Sequence, residues 1–152
     1  MVVFESALHT LKNYADFSSR ASRSEFWLFF AFVLIANAIA RFLDAMLGHG
    51  GYLPGPVSGL VGLLLLVPQI AVAVRRLHDI GRSGRELVVP CVMLALLPVV
   101  TSFGGFLPRI VALGYAGVTL LVFANLLLML AKQGRSVPNK YGASPTAFSF
   151  AR

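Results

Sequence analysis

The sequence predicts an all-α, polytopic membrane protein with four transmembrane helices and an N-terminal interfacial amphipathic helix. Three observations lead there. Hydrophobic residues fill 57% of the 152 positions and charged ones only 12%, for a mean hydropathy of +0.79. Soluble domains are about a quarter charged, so a water-soluble fold of this size would lack the polar surface to cover itself. Four long apolar runs divide the chain, and its lysines and arginines gather in alternate segments between them. Thirteen Lys and Arg against six Asp and Glu give a net charge of +7. In a membrane chain that excess fits anionic lipid at the cytoplasmic face rather than nucleic acid. The single cysteine, Cys91, cannot form an intramolecular disulfide and lies in an apolar run, so it reads as packing.

Residues 1–17, "MVVFESALHTLKNYADF", lack the basic start, apolar block and small-residue cleavage site of a signal peptide. Phe4, Leu8 and Leu11 recur at helical spacing, with Glu5, His9, Lys12 and Asn13 between them. That pattern predicts a short amphipathic helix on the membrane surface or against the protein body. The basic stretch "SSRASRSE" at 18–25 completes the interfacial segment 1–25. Within it Ser22 and Glu25 stand at capping-box spacing just before "FWLFF". Trp27 falls where an interfacial aromatic belt is expected.

Four spans follow in a single membrane domain over 1–152, at about 26–47, 57–74, 87–103 and 110–131. Roughly 20 residues cross the hydrocarbon at about 1.5 Å each. The first and fourth spans are comfortable and the second is adequate. The third has 17 residues and is interrupted by Pro90 and Pro98, so it is expected to be kinked, with a re-entrant course as the alternative.

Lys12, Arg20 and Arg23 precede the first span. Arg75, Arg76, Arg82 and Arg85 lie between the second and third, and Lys132, Arg135, Lys140 and Arg152 follow the fourth. The other two loops hold Arg109 alone, and Arg41 lies inside the first span. The positive-inside rule therefore places both termini, the 75–84 loop and the 132–152 tail in the cytoplasm. Four spans returning the chain to its starting side agree with that placement.

Charged side chains near mid-span cost about 2.5–3.5 kcal/mol each and need a partner or a use. Arg41 and Asp44, three apart on one helix face, read as a self-paired couple, or alternatively as part of an ion path. Asn37, Gln69 and Asn125 place one amide in each of three spans. Interhelical hydrogen bonding is the expected use, and a transport site is the alternative. The pairs Ala36/Ala40 and Gly55/Gly59 suit close helix contact.

The densest polar cluster is "RRLHDIGRSG" at 75–84. His78 and Asp79 are adjacent, so on a helix they diverge by about 100° and make a poor metal pair. Ser83 has no evident base partnered with an orienting acid, so no catalytic residue is assigned, and no metal or cofactor is expected. Two readings remain. Arg75, Arg76 and Arg82, with a turn at Gly81 and Gly84, could grip an anionic lipid headgroup. Alternatively the cluster is a structural clasp, with Asp16, Glu25 and Asp79 neutralising the arginines.

"YADFSSRASRSEFW" (14–27), "RRLHDIGRSG" (75–84) and "PNKYGASP" (138–145) resemble, in order and relative position, the bacterial inner-membrane family called domain of unknown function 805. The resemblance covers nearly the whole chain. It implies a small multi-span inner-membrane protein without an established biochemical activity. The family's usual aromatic pair after the second loop glycine is Arg85-Glu86 here; its glycine before Pro-Asn is Val137, and its Pro-Asp is Ala143-Ser144. By the topology above, all three motifs meet at the cytoplasmic interface. Arg20, Arg23, Glu25, Arg75, Arg76, His78, Asp79, Gly81, Arg82, Gly84, Asn139 and Tyr141 are the candidate site residues, serving as clasp or anion site.

The expected function is a non-enzymatic membrane protein that binds anionic phospholipid, a second copy of itself or another membrane protein through this layer. A small transporter or channel subunit built around Asn37, Gln69, Asn125 and the proline-broken second and third spans is the alternative. A membrane enzyme acting on lipid phosphates is the third reading. The topology is directly testable. A reporter active only in the cytoplasm should be silent when fused at Gly50 and active when fused after Arg152; equal activity at both sites would mean a miscounted span.

Overall fold

A computed structural model describes residues 8, 10–12, 14–51, 54–102 and 105–145. They form four helices long and apolar enough to cross a membrane, and no strand occurs among them. Helix α1 is Arg23–Met46 and α2 is Pro56–Asp79. A 3-10 turn, Gly84–Leu87, leads into α3, Val88–Thr101, and α4 is Phe106–Ala131. Of the expected N-terminal helix, Phe4, Glu5, His9 and Asn13 lie outside the described residues. Within it, Leu8 and 10–12 are helical; Thr10 is fully buried and Leu11 packs on the core, while Leu8 and Lys12 are exposed.

Local chemistry sets the helix ends. Ser22 caps α1, its Oγ accepting from the Glu25 N–H at 3.1 Å, as the Ser-x-x-Glu spacing predicts. Pro56 opens α2, where its missing N–H costs nothing. Beyond the end of α2, Gly81 takes a φ of +81°, a left-handed conformation that lets the chain leave the helix at no Cβ penalty. The third apolar segment becomes one continuous helical unit, with the 3-10 turn running into α3 over Gly84–Thr101.

The outer helix faces are apolar and open. Leu63, Leu113 and Leu121 are each about 70% exposed, which water would penalise and lipid tails do not. Helix α1 packs along α2 and α3 along α4. The Tyr115 hydroxyl ties the second pair by donating to the Met93 carbonyl at 2.9 Å. The two hairpins join through one buried cluster, in which Phe26, Phe29, Val72 and Leu77 meet Leu87, Leu126 and Leu130. That cluster lies at the end of the bundle where the three motifs converge.

At the other end, Asp44 is buried. Its Oδ1 accepts from the Val57 N–H at 2.9 Å, and its Oδ2 from the Ser58 N–H at 2.9 Å and the Ser58 hydroxyl at 2.5 Å. Gly55, the N-cap of α2, offers no side chain of its own, so a carboxylate from α1 does the capping. The expected Arg41–Asp44 couple is thus replaced, and Arg41 donates to the Gly51 carbonyl at 2.7 Å. The start of α2 presents several donors at once and outcompetes one guanidinium three residues away. Gly55 is needed for this approach, since a Cβ there would stand 2.3 Å from the Asp44 Cγ. Gly59 has no such role: a Cβ at that position meets nothing within 4 Å.

The amides also behave differently from expectation. Asn37 donates to Val33 of its own helix at 2.9 Å rather than across to another, Asn125 is exposed, and the Gln69 Oε1 is buried with no hydrogen-bond partner among the described residues. Capping across helices makes Asp44 more sensitive than any of these amides. Thermal unfolding in mild detergent should show a larger loss for Asp44→Ala than for Asp44→Asn, which keeps one acceptor. Asn37→Leu should change the midpoint little.

Candidate functional site

The last two turns of α2 carry Arg75, Arg76, Leu77, His78 and Asp79, and all five are buried. They are covered by the segment entering α1 and by the chain leaving α4. The Ala21 N–H donates to the Arg75 carbonyl at 3.1 Å and the Arg135 N–H to the Asp79 carbonyl at 3.1 Å, so both segments dock on the backbone of α2 as well as on its side chains.

Asp79 is the centre. Its Oδ1 accepts from Arg20 through both Nε at 3.1 Å and Nη2 at 2.8 Å, two charge-assisted bonds converging on one carboxylate oxygen. Its Oδ2 pairs with the Nη1 of Arg76. Each arginine directs further donors to the end of α4 or to the chain after it. Arg20 Nη1 reaches the carbonyls of Val137 at 3.1 Å and Gly142 at 3.2 Å, and Nη2 that of Arg135. Arg76 donates through Nε to the Leu130 carbonyl at 3.0 Å and through Nη2 to that of Lys132. A cation thereby meets the carbonyls left unpaired at the C-terminal end of α4. A Cβ on Gly134 would come within 1.8 Å of the Asp79 Oδ2, so only glycine lets the strand of chain after α4 pass so close.

Two further contacts flank this centre. Arg75 Nη1 pairs with Glu25 Oε1 at 2.9 Å, and the Thr10 hydroxyl approaches the same carboxylate oxygen at 3.4 Å. The Arg75 Nε and Nη2 are buried without a partner among the described residues. On the other flank the His78 ring lies flat on Tyr141, with centroids 3.7 Å apart and planes 3° apart, and its Nδ1 faces the Ser19 carbonyl at 3.3 Å. The Asn139 side chain donates to the His78 carbonyl at 2.9 Å and accepts from the Tyr141 N–H at 2.8 Å, shaping the turn that delivers Tyr141.

Not every candidate joins the cluster. Arg82 turns outward to an exposed i,i+4 pair with Glu86 at 3.1 Å. Gly81 answers a backbone requirement, and Gly84 a packing one, because a Cβ there would stand 2.8 Å from Val74. Asp16, expected near Arg75 and Arg76, instead accepts from the N–H groups and hydroxyls of Ser18 and Ser19. Burial by itself would raise its carboxyl, but those four donors hold it well below the ordinary carboxylate range. Gly134 and the carbonyls of Leu130, Lys132, Arg135 and Val137 are partners that spacing alone does not disclose. The nearest signal was a glycine three residues past the last apolar position.

Beside the cluster is a polar cavity of about 430 Å³. Arg23, Ser24, Arg135 and Ser136 line it together with the buried Arg76 and Asp79. The Arg23 and Arg135 side chains are exposed and have no ion-pair partner among the described residues.

The chain belongs to the family described as protein of unknown function (DUF805), whose model matches residues 14–143. That range takes in the first two motifs whole and most of the third, so the resemblance read from them holds. Over 80 residues the chain is 42% identical to the inner membrane protein YhaH of Escherichia coli (strain K12), covering 51% of this chain and 64% of that one. It is likewise 42% identical over 78 residues to the inner membrane protein YhaI of the same strain, covering 51% and 63%. The aligned part therefore spans just under two thirds of the length of these relatives. No solved structure matches.

Removing one partner from a buried ion cluster leaves the others uncompensated, a loss of about 3–5 kcal/mol in measured cases. Asp79→Asn should approach that figure in thermal unfolding, while Arg82→Ala, which removes an exposed pair, should stay within about 0.5 kcal/mol. Gly134→Ala should cost about 1–3 kcal/mol by overpacking against Asp79. Equal effects of Asp79→Asn and Arg82→Ala would show that Asp79 is not the centre.

Proposed function

We propose that this chain is a bacterial inner-membrane protein that works by binding rather than catalysis, with both termini in the cytoplasm. Its motif layer is a structural clasp that presents a basic surface to anionic lipid or to a membrane partner. The inner-membrane assignment is drawn from the relatives named above together with the four apolar helices. Orientation rests on the Lys and Arg asymmetry, and the motif layer lies at the basic end.

One observation carries the binding reading: the motif layer commits its chemistry inward and leaves charge outward. Arg20, Arg75, Arg76, Glu25 and Asp79 are buried and engaged with one another or with backbone carbonyls. Arg23, Lys132, Arg135 and Lys140 face out. A catalytic cluster holds its titratable groups open towards a substrate, whereas here the carboxylates serve as counter-ions to arginines. The outward cations are placed to meet an anionic membrane surface.

A small transporter or channel subunit is the second reading, and it draws on the Gln69 Oε1, which lacks a hydrogen-bond partner among the described residues, in the cleft between the two hairpins. Native mass spectrometry from mild detergent separates these outcomes. Bound phospholipid, or a fixed stoichiometry with a partner, is the result expected of a binding protein. Wild-type chain carrying neither would overturn it. A Gln69→Leu variant that folds normally yet loses cellular function would favour transport, since relieving an unpartnered buried acceptor should leave stability unchanged or higher.

A further inference from the structure

From the stacking of two cavities we infer a specific site for one anionic phospholipid, with its phosphodiester in the polar cavity and an acyl chain in the apolar cleft below. The inference deepens the binding reading above and rests on it. The polar cavity is lined by Arg23 and Arg135, and the apolar cleft, of about 580 Å³, runs between the hairpins. The same three elements build both. On α1, Arg23 lines the upper cavity and Phe26 and Phe30 the lower; on α2, Arg76 lines the upper and Ala73 and Gln69 the lower. On α4 and the chain just beyond it, Gly134 lines the upper and Leu130 the lower. A step of three or four residues is about one turn, roughly 5 Å along the axis, so the apolar cleft lies about one turn beyond the polar cavity on each of the three elements. An amphiphile is the one ligand class with that order of chemistry at that spacing.

Charge selects the headgroup. Among the described residues Asp79 is the only acid lining the upper cavity, and both of its oxygens are held by Arg20 and Arg76. The guanidiniums of Arg23 and Arg135 lack a counter-ion among the described residues, and planar guanidinium forks suit phosphate oxygens. The Ser24 hydroxyl, within 3.0 Å of that of Ser22, lines the same cavity. A lipid of net negative charge satisfies these donors. A zwitterionic lipid would bring an ammonium group that finds no uncommitted carboxylate, so the site should discriminate between them.

The test uses the intact chain in bilayer discs holding equal phosphatidylglycerol and phosphatidylcholine, extracted gently and weighed by native mass spectrometry. Wild-type protein should retain phosphatidylglycerol over phosphatidylcholine by about tenfold, and the Arg23→Gln, Arg135→Gln double variant should lose that preference with its melting unchanged. Ala95→Phe, which fills the cleft, should reduce retention of both lipids while keeping the preference; Cys91→Leu serves the same purpose if Ala95→Phe does not fold. Equal retention of the two lipids by wild type, or an undiminished preference in the double variant, overturns the site. Complete displacement by inorganic phosphate alone would overturn it too, by assigning the cavity to a free anion. Wild type bearing neither lipid nor partner would instead remove the binding reading itself, so the two failures are distinct.

Discussion

One carboxylate shared by two arginines organises the basic end of this protein. Asp79 faces Arg20 on one oxygen and Arg76 on the other, and each guanidinium carries the connection onward to the chain after α4. Three segments far apart in sequence therefore close on one atom group. Buried ion pairs seldom add net stability over well-packed apolar residues, because both charges must be desolvated. Their strength is in discrimination: an arrangement that leaves any one of these groups unpaired is penalised, so few alternatives compete. A bundle whose helices have no hydrophobic reason to associate inside lipid gains much from such a device.

The packing of the apolar segments follows from that arrangement. Within each hairpin the helices run side by side, but between hairpins the buried apolar cluster is confined to the clasp end. Further along, the hairpins part around an apolar cleft lined by Gln69, whose Oε1 has no hydrogen-bond partner among the described residues. Polar closure at one end and separation beyond it are two sides of the same geometry. The ionic layer draws α2, α4 and the segment before α1 together only where those charges are.

Much of the fold was legible in the sequence, because the chemistry that decides it is local and coarse. Run length and hydropathy identify spans, and the Ser22–Glu25 spacing marks the start of α1 to the residue. The site was legible in part. Arg20, Glu25, Arg75, Arg76, His78, Asp79, Asn139 and Tyr141 come together in space, and the pairing of Glu25 with Arg75 follows from opposite charge at one interface. What sequence could not show was competition among partners. Asp44 is three residues from Arg41 and thirteen from Val57, yet the backbone N–H groups at the start of α2 hold it. Asp16 has two arginines available in principle and is captured by serines two and three residues away. Asn37 turns back on its own helix. In each case the outcome depends on which donors the fold leaves unpaired, and spacing carries no record of that. Gly134 belongs here as well, since its necessity exists only once Asp79 is beside it.

The long reach of Arg20 bears on how the protein is made. The Gly142 carbonyl that its guanidinium binds is synthesised 122 residues after it. Arg76 waits for Leu130 and Lys132 in the same way. While the four helices are being delivered to the bilayer one after another, the basic end has no complete set of partners. The helices enter the lipid before the stretch that follows α4 can lock them. Assembly thus has a built-in order in which insertion precedes consolidation, and the tail reports that every span before it has arrived.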